Sequence, residues 1–259
     1  MGGSVPVDTS TMGLLLLFIL AVCLLLLLGT LAVLNALTRP ARTTFAEAIA
    51  RGRPTEPEEA NLAWTSWEHR TADGLDLPVW DLPGAHGGPT LLWLHDHGRS
   101  RIDALPEVDS WLVWCERVVL VDLRGHGDAP GICTLGQHER DDVDRLIEQL
   151  GAASLILAGR GFGAVLAIDA AERHRDIAVW AAAPRSNLRL ECAAMLRSYR
   201  LPAWPLCALV QFSLWVLGRR PIEPITMCDD ERIRIVADGE PIPDGPWRSP
   251  GVTGDAPSS

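Results

Sequence analysis

Five residues, Gly159-Arg160-Gly161-Phe162-Gly163, join the apolar run Leu155-Ile156-Leu157-Ala158 to a second one, Ala164-Val165-Leu166-Ala167-Ile168. A strand that feeds a helix through a G-x-S-x-G turn exposes its serine on a strained corner, where the hydroxyl can attack an acyl carbon. Both outer glycines of that pattern are present here, but the central position is Gly161. Glycine tolerates the backbone of such a turn and brings no nucleophile. What the turn retains is a helix N-terminus, whose free N–H groups attract anions. Arg160, Gly161 and Phe162 are therefore the candidate anion-binding residues; the plainer reading leaves Arg160 as a solvated loop side chain.

Other chemistries fare no better from the residue types. A formal charge of −10 and an isoelectric point near 5.1 exclude nucleic acid as an expected partner, because its phosphates would be repelled. All 23 basic residues are arginine, a bias we read as compositional. Six cysteines (Cys23, Cys115, Cys133, Cys192, Cys207 and Cys228) form no C-x-x-C pair and have no histidine at metal spacing. They read as small buried hydrophobes, with neither a zinc site nor a disulfide framework indicated. His95, Asp96 and His97 are adjacent, but neighbours on a strand end point to opposite faces, so no metal site and no cofactor are expected. Ser100, Ser186 and Cys192 fall near predicted strand ends without a partner histidine; Ser100 reads as a helix cap and Ser186 as a turn residue.

The elements around these residues follow from hydrophobic pattern. Residues 13–37 form an apolar stretch without a charged residue, about 25 residues and long enough to span ~30 Å of hydrocarbon. A signal peptide would have a basic start and a shorter core; residues 1–12 carry no basic side chain. We expect one retained transmembrane helix. Arg39, Arg42, Arg51 and Arg53 follow it, which places the soluble part in the cytoplasm by the positive-inside tendency; an anchor of opposite orientation is the rival. Residues 38–61 read as a juxtamembrane linker with a short helix at Phe45–Ala50.

The domain expected over 62–240 opens with a hairpin, Trp64–His69 and Leu75–Trp80 about the turn Ala72-Asp73-Gly74. Strand candidates Thr90–His95, Val118–Asp122, Leu155–Ala158 and Ile177–Ala181 then alternate with helices at Leu105–Trp114, Glu139–Leu150 and Ala164–Arg173. Such alternation predicts an α/β fold with a mostly parallel sheet and helices on both faces. A further strand is expected at Ile233–Gly239. Leu201–Leu217, within a cap-like segment 185–220, is either a lid helix or a helix lying in the membrane interface with Trp204 and Trp215 as anchors. Residues 241–259 read as a disordered tail.

Four features in this order resemble the α/β-hydrolase superfamily, in particular its bacterial serine aminopeptidase and esterase-like branch. They are Leu94-His95-Asp96-His97-Gly98-Arg99-Ser100 after the first parallel strand, Asp122-Leu123-Arg124-Gly125-His126-Gly127 after the next, the Gly159–Gly163 turn, and the strand ending at Ala183-Pro184. The resemblance covers Trp64 to Pro184, more weakly to Pro243. It implies that His95, Asp96, His97 and Gly98 form the oxyanion-hole-like loop, with Phe162 supplying the second N–H donor. It also implies that Asp122, Arg124 and His126 brace the sheet edge. Where the family reads His-Gly, this chain reads His95-Asp96, and a carboxylate there opposes a developing oxyanion. The family's triad runs Ser, acid, His. Here His174 is the last histidine, so the late acids Asp229, Asp230, Glu231, Asp238, Glu240 and Asp244 have none to orient.

The expectation is a membrane-anchored, degenerate member without serine-hydrolase catalysis, binding a small acyl or anionic ligand or a protein partner. The alternatives are an active esterase or peptidase-like enzyme with a displaced nucleophile, and a truncated gene product.

Overall fold

A computed structural model of the chain describes residues 9–42, 44–184, 188–198, 200–222 and 230–236. The predicted tail at 241–259 lies outside them, as do Ser186, Cys228 and the acids Asp229, Asp238, Glu240 and Asp244. In chain order the elements are α1 (Thr9–Thr38), α2 (Thr44–Ala50), β1 (Thr65–Arg70), β2 (Asp76–Pro83), β3 (Thr90–Leu94), α3 (Leu105–Leu112), β4 (Arg117–Val121), α4 (Glu139–Leu150), β5 (Leu155–Arg160), α5 (Phe162–Arg173), β6 (Ala178–Ala182), α6 (Leu188–Ser198), α7 (Leu206–Val216) and β7 (Ile233–Val236). The chain divides into two units, 1–36 with 189–218 and 37–188 with 219–259.

The second unit is built on a seven-stranded sheet in the order β1-β2-β4-β3-β5-β6-β7. β1, β2 and β4 pair antiparallel, and β4, β3, β5, β6 and β7 run parallel. Parallel strands need helical crossovers, and these bury both sheet faces. Side chains accordingly alternate between two cores. Leu92, Leu94, Val119, Val121 and Leu157 join α4 and α5 on one face. Leu91, Trp93, Val118, Leu120, Ile156 and Ala158 join α3 on the other. The chain leaves β3 for β4 on one side and later enters β5 on the other. A crevice at the carboxyl ends of β3 and β5 is the usual ligand position in such a sheet.

The acids that open α4 do more than suit the positive end of its dipole. Glu139 is buried and accepts from the Thr134 and Gly136 N–H groups at 2.6 and 2.8 Å. Asp142, also buried, pairs with Arg124. α1, which lies in the first unit up to Ala36, extends a turn before the apolar stretch that begins at Gly13, and it ends at Thr38. It has 30 residues, about 45 Å at 1.5 Å each, and is long and apolar enough to cross a membrane. α7 starts immediately after Pro205, is 11 residues long and groups with α1; Trp204 and Trp215 are largely exposed.

Candidate functional site

The turn between β5 and α5 keeps its shape through close backbone packing. A Cβ on Gly159 would come 2.4 Å from the Gly163 carbonyl oxygen, and one on Gly163 would come 2.1 Å from that of Leu94. Neither position accepts a side chain without parting β3, β5 and α5. Gly161 adopts φ +54° and ψ −111°, a sparsely populated conformation that strains any residue with a Cβ. Its N–H donates to the Ala182 carbonyl at 2.9 Å, tying the turn to β6.

The loop after β3 meets this turn through Asp96. One carboxylate oxygen, Oδ1, accepts the Phe162 N–H at 2.8 Å and the His97 N–H at 2.7 Å. The first is the donor that the resemblance assigns to the elbow, and the second lies in the loop that it assigns to an oxyanion hole. The same oxygen lies 2.1 Å from where a Cβ on Gly161 would stand. A carboxylate of the chain itself therefore occupies both the anion position and the space a nucleophile's side chain would need. Arg160, at the mouth, pairs with Glu107 at 3.1 Å.

His95 anchors the loop. Its Nδ1 donates to the Asp96 carbonyl at 2.8 Å and its Nε2 accepts the Leu123 N–H at 2.9 Å. Both nitrogens are committed in one neutral tautomer, and burial lowers its pKa, against the pull of Asp122. Ser100 departs from the expected cap: it precedes the 3-10 turn Arg101–Ala104, but its hydroxyl is buried and makes no capping bond.

The loop after β4, which the resemblance casts as a brace, is tied to its neighbours by charged side chains. Asp122, almost fully buried, accepts the Arg101 N–H at 2.7 Å and the Asp128 N–H at 2.9 Å. Arg124 forks onto Asp142 and Asp73 with four bonds of 2.6 to 2.9 Å. His126 is different. Its Nδ1 donates to the Arg124 carbonyl at 2.9 Å, while its Nε2 is buried without a hydrogen-bond partner among the described residues. Burial, with His95 and His97 adding to it, pushes its pKa down to about 2.

A cleft of about 940 Å³ opens over the turn, lined by Arg51, Arg53, Arg99 and Arg160 against Asp96, Asp103 and Glu107. Arg99 bonds Glu47 at 2.6 Å. Burial pushes the Asp103 carboxyl up, opposed by Arg99.

No family profile matches the chain. The uncharacterised protein YqkD of Bacillus subtilis (strain 168) is 28% identical over 196 residues, covering 67% of this chain and 64% of that protein. The chain thus spans less than two thirds of this curated relative. Among solved structures, the esterase Pf2001 of Pyrococcus furiosus aligns in two crystal forms with TM-scores of 0.51 and 0.50 and 23% identity. These alignments cover 66% and 62% of this chain and 67% and 68% of that one. The fold is that of the α/β hydrolases.

Within that fold the cleft stands at the carboxyl ends of β3 and β5, where a reacting group would have to sit. His174, the last histidine in the sequence, follows the far end of α5 and bonds Asp144 at 2.9 Å. The twelve residues of α5 separate it from Gly161 by about 18 Å at 1.5 Å each, out of reach of any proton there. Asp230 is likewise engaged, by Arg232 at 2.6 Å. The histidines that do lie near the turn are His95, His97 and His126; their rings neighbour one another at 5.1 and 5.3 Å. Sequence spacing brings His95 and His97 together but carries no signal for His126, which a separate crossover delivers.

Proposed function

We propose that this protein is a degenerate α/β hydrolase that does not hydrolyse, and that its strand-end cleft binds a small acyl or anionic ligand at the membrane surface. The carrying observation is Asp96 Oδ1, which takes both backbone donors beside Gly161. A substrate carbonyl cannot share that position with a carboxylate, and none of residues 159–163 carries a hydroxyl or thiol to attack it. The cleft retains arginines for an acid group, Arg53 and Arg160 among them, with Trp93 in its lining.

α1 serves as the anchor in this reading, and the arginines that follow it favour a cytoplasmic domain. The exposed Trp204 and Trp215 suit α7 to the interfacial zone beside it. The test is labelling of the full chain, in detergent micelles, with a fluorophosphonate probe, alongside calorimetry with short-chain carboxylates. No covalent adduct, together with carboxylate binding that Arg53→Ala weakens, supports the proposal. Stoichiometric labelling overturns the non-hydrolytic reading, and absence of any heat overturns the ligand class.

A further inference from the structure

Two loops, one after β3 and one after β4, bring borderline and soft donor atoms to one place. One ligand-type atom from each of His97, His126 and Cys133 lies within 4.8 Å of the other two. His97 comes from the loop after β3, His126 and Cys133 from the long connection between β4 and α4.

The hydrogen bonds around the two imidazoles select which nitrogen stays free. A carbonyl oxygen only accepts, so a ring nitrogen facing one must carry the proton. Nδ1 of His126 faces the Arg124 carbonyl at 2.9 Å, leaving the lone pair on Nε2, which is buried and has no partner among the described residues. Nε2 of His97 faces the Leu37 carbonyl at 2.8 Å, leaving the lone pair on Nδ1. Metal-binding histidines show this arrangement: the second nitrogen donates to a backbone carbonyl and so sets the ring's tautomer and direction. Cys133 is fully buried, and its N–H is tied to the Thr38 carbonyl at 2.9 Å. Thus Leu37 and Thr38 together hold two of the three donors from the backbone.

We infer that His97, His126 and Cys133 form a binding site for one zinc ion, with a solvent molecule completing four-fold coordination. Thiolate and imidazole donors suit zinc and copper and disfavour magnesium and calcium. Bonds of about 2.0–2.1 Å to nitrogen and 2.3 Å to sulfur require donor separations near 3.5 Å, so a pair at the 4.8 Å limit closes by about 1.3 Å. His97 is the member free to do so, being only partly buried and followed by Gly98 at φ +74°. On binding, the Cys133 S–H bond breaks, its proton passes to solvent, and the sulfur and two nitrogen lone pairs bond the cation without any change of oxidation state. An ion here would join the loops after β3 and β4 and hold His97, whose N–H grips Asp96. The site does not depend on whether the neighbouring turn hydrolyses anything.

Cobalt(II), a spectroscopic stand-in for zinc, tests this on the full chain in detergent micelles. One equivalent should give a thiolate-to-cobalt charge-transfer band with tetrahedral d–d absorption, displaced by one equivalent of zinc. Cys133→Ser should abolish the band, and His126→Gln should weaken binding at least tenfold. His174→Gln, remote from the cluster, should leave it unchanged. Absence of a sulfur–cobalt band in the folded wild-type chain overturns the inference, as does a band that survives Cys133→Ser. Should Cys133→Ser not fold, His97→Ala serves in its place, and retention of wild-type affinity there also overturns it.

Discussion

The contact between Asp96 and Gly161 makes a quantitative prediction through a double-mutant cycle. Asp96→Gly removes two hydrogen bonds to an ionised acceptor, each contributing roughly 1.5–3 kcal/mol. Asp96 is half-buried at the cleft, and water re-solvates part of the loss, so about 2–4 kcal/mol is expected. Gly161→Ser evicts the same carboxylate, because the new Cβ would lie 2.1 Å from Oδ1. It therefore loses those bonds and adds about 1–3 kcal/mol of backbone strain, for a total of about 3–7 kcal/mol. In the double variant the eviction counts only once. Its loss should equal that of Gly161→Ser alone, giving a coupling of about 2–4 kcal/mol where independent sites would give less than about 0.5. Urea denaturation of the full chain in micelles, followed by tryptophan fluorescence, measures all four corners, since Trp80, Trp93, Trp111 and Trp180 are buried in the sheet unit. Additive losses would refute the placement of the carboxylate against Gly161.

Three further outcomes follow from the same geometry. Gly163→Ala drives a methyl to 2.1 Å from the Leu94 carbonyl; a loss of about 3 kcal/mol or more should appear as a fall in melting temperature of roughly 6–12 °C, and an unchanged melting temperature would contradict the packing of α5 on β3. Asp122→Ala strips the buried Arg101 and Asp128 N–H groups of their acceptor and removes the carboxylate 3.2 Å from the Arg101 guanidinium, which keeps its bond to Asp128; the loss should be about 2–4 kcal/mol by denaturant titration. Arg124, then Thr71, hydrogen-bond Asp73 and hold its carboxyl well below the ordinary 3.8. A depressed folded pKa stabilises above about pH 4 and loses its effect as pH falls through the folded value. The stability gap between wild type and Asp73→Asn should therefore be widest near pH 6 and shrink below pH 4. It should be about 1 kcal/mol or less, since Asp73 is partly solvated, and a gap constant down to pH 3 would contradict the pairing.

Much of the sheet unit is legible in the sequence because local pattern and tertiary burial agree there. The alternation at Trp64–Trp80 matches β1 and β2, and the four apolar runs that follow match β3, β4, β5 and β6 because strands buried on both faces must be apolar throughout. α4 matches Glu139–Leu150 to the residue, with Gly151 closing it at φ +53°. Periodicity was less informative beyond β6. α6 and α7 fall into a unit with α1, a partition that depends on contacts between segments some 170 residues apart, and no local pattern encodes it.

At the site, two departures are legible from residue type alone: the glycine at 161 and the acid at 96. Such statements need only residue type and order. Only the tertiary structure decided what those residues do together. That Asp96 Oδ1 reaches both N–H donors follows from β3 and β5 lying side by side although some 60 residues separate them in the chain. That His126 and Cys133 meet His97 follows from a parallel sheet gathering the loops of β3 and β4 at one edge. Spacing rules for metal ligands describe donors carried on one local element, and these three are carried on loops that only the crossover connections bring together.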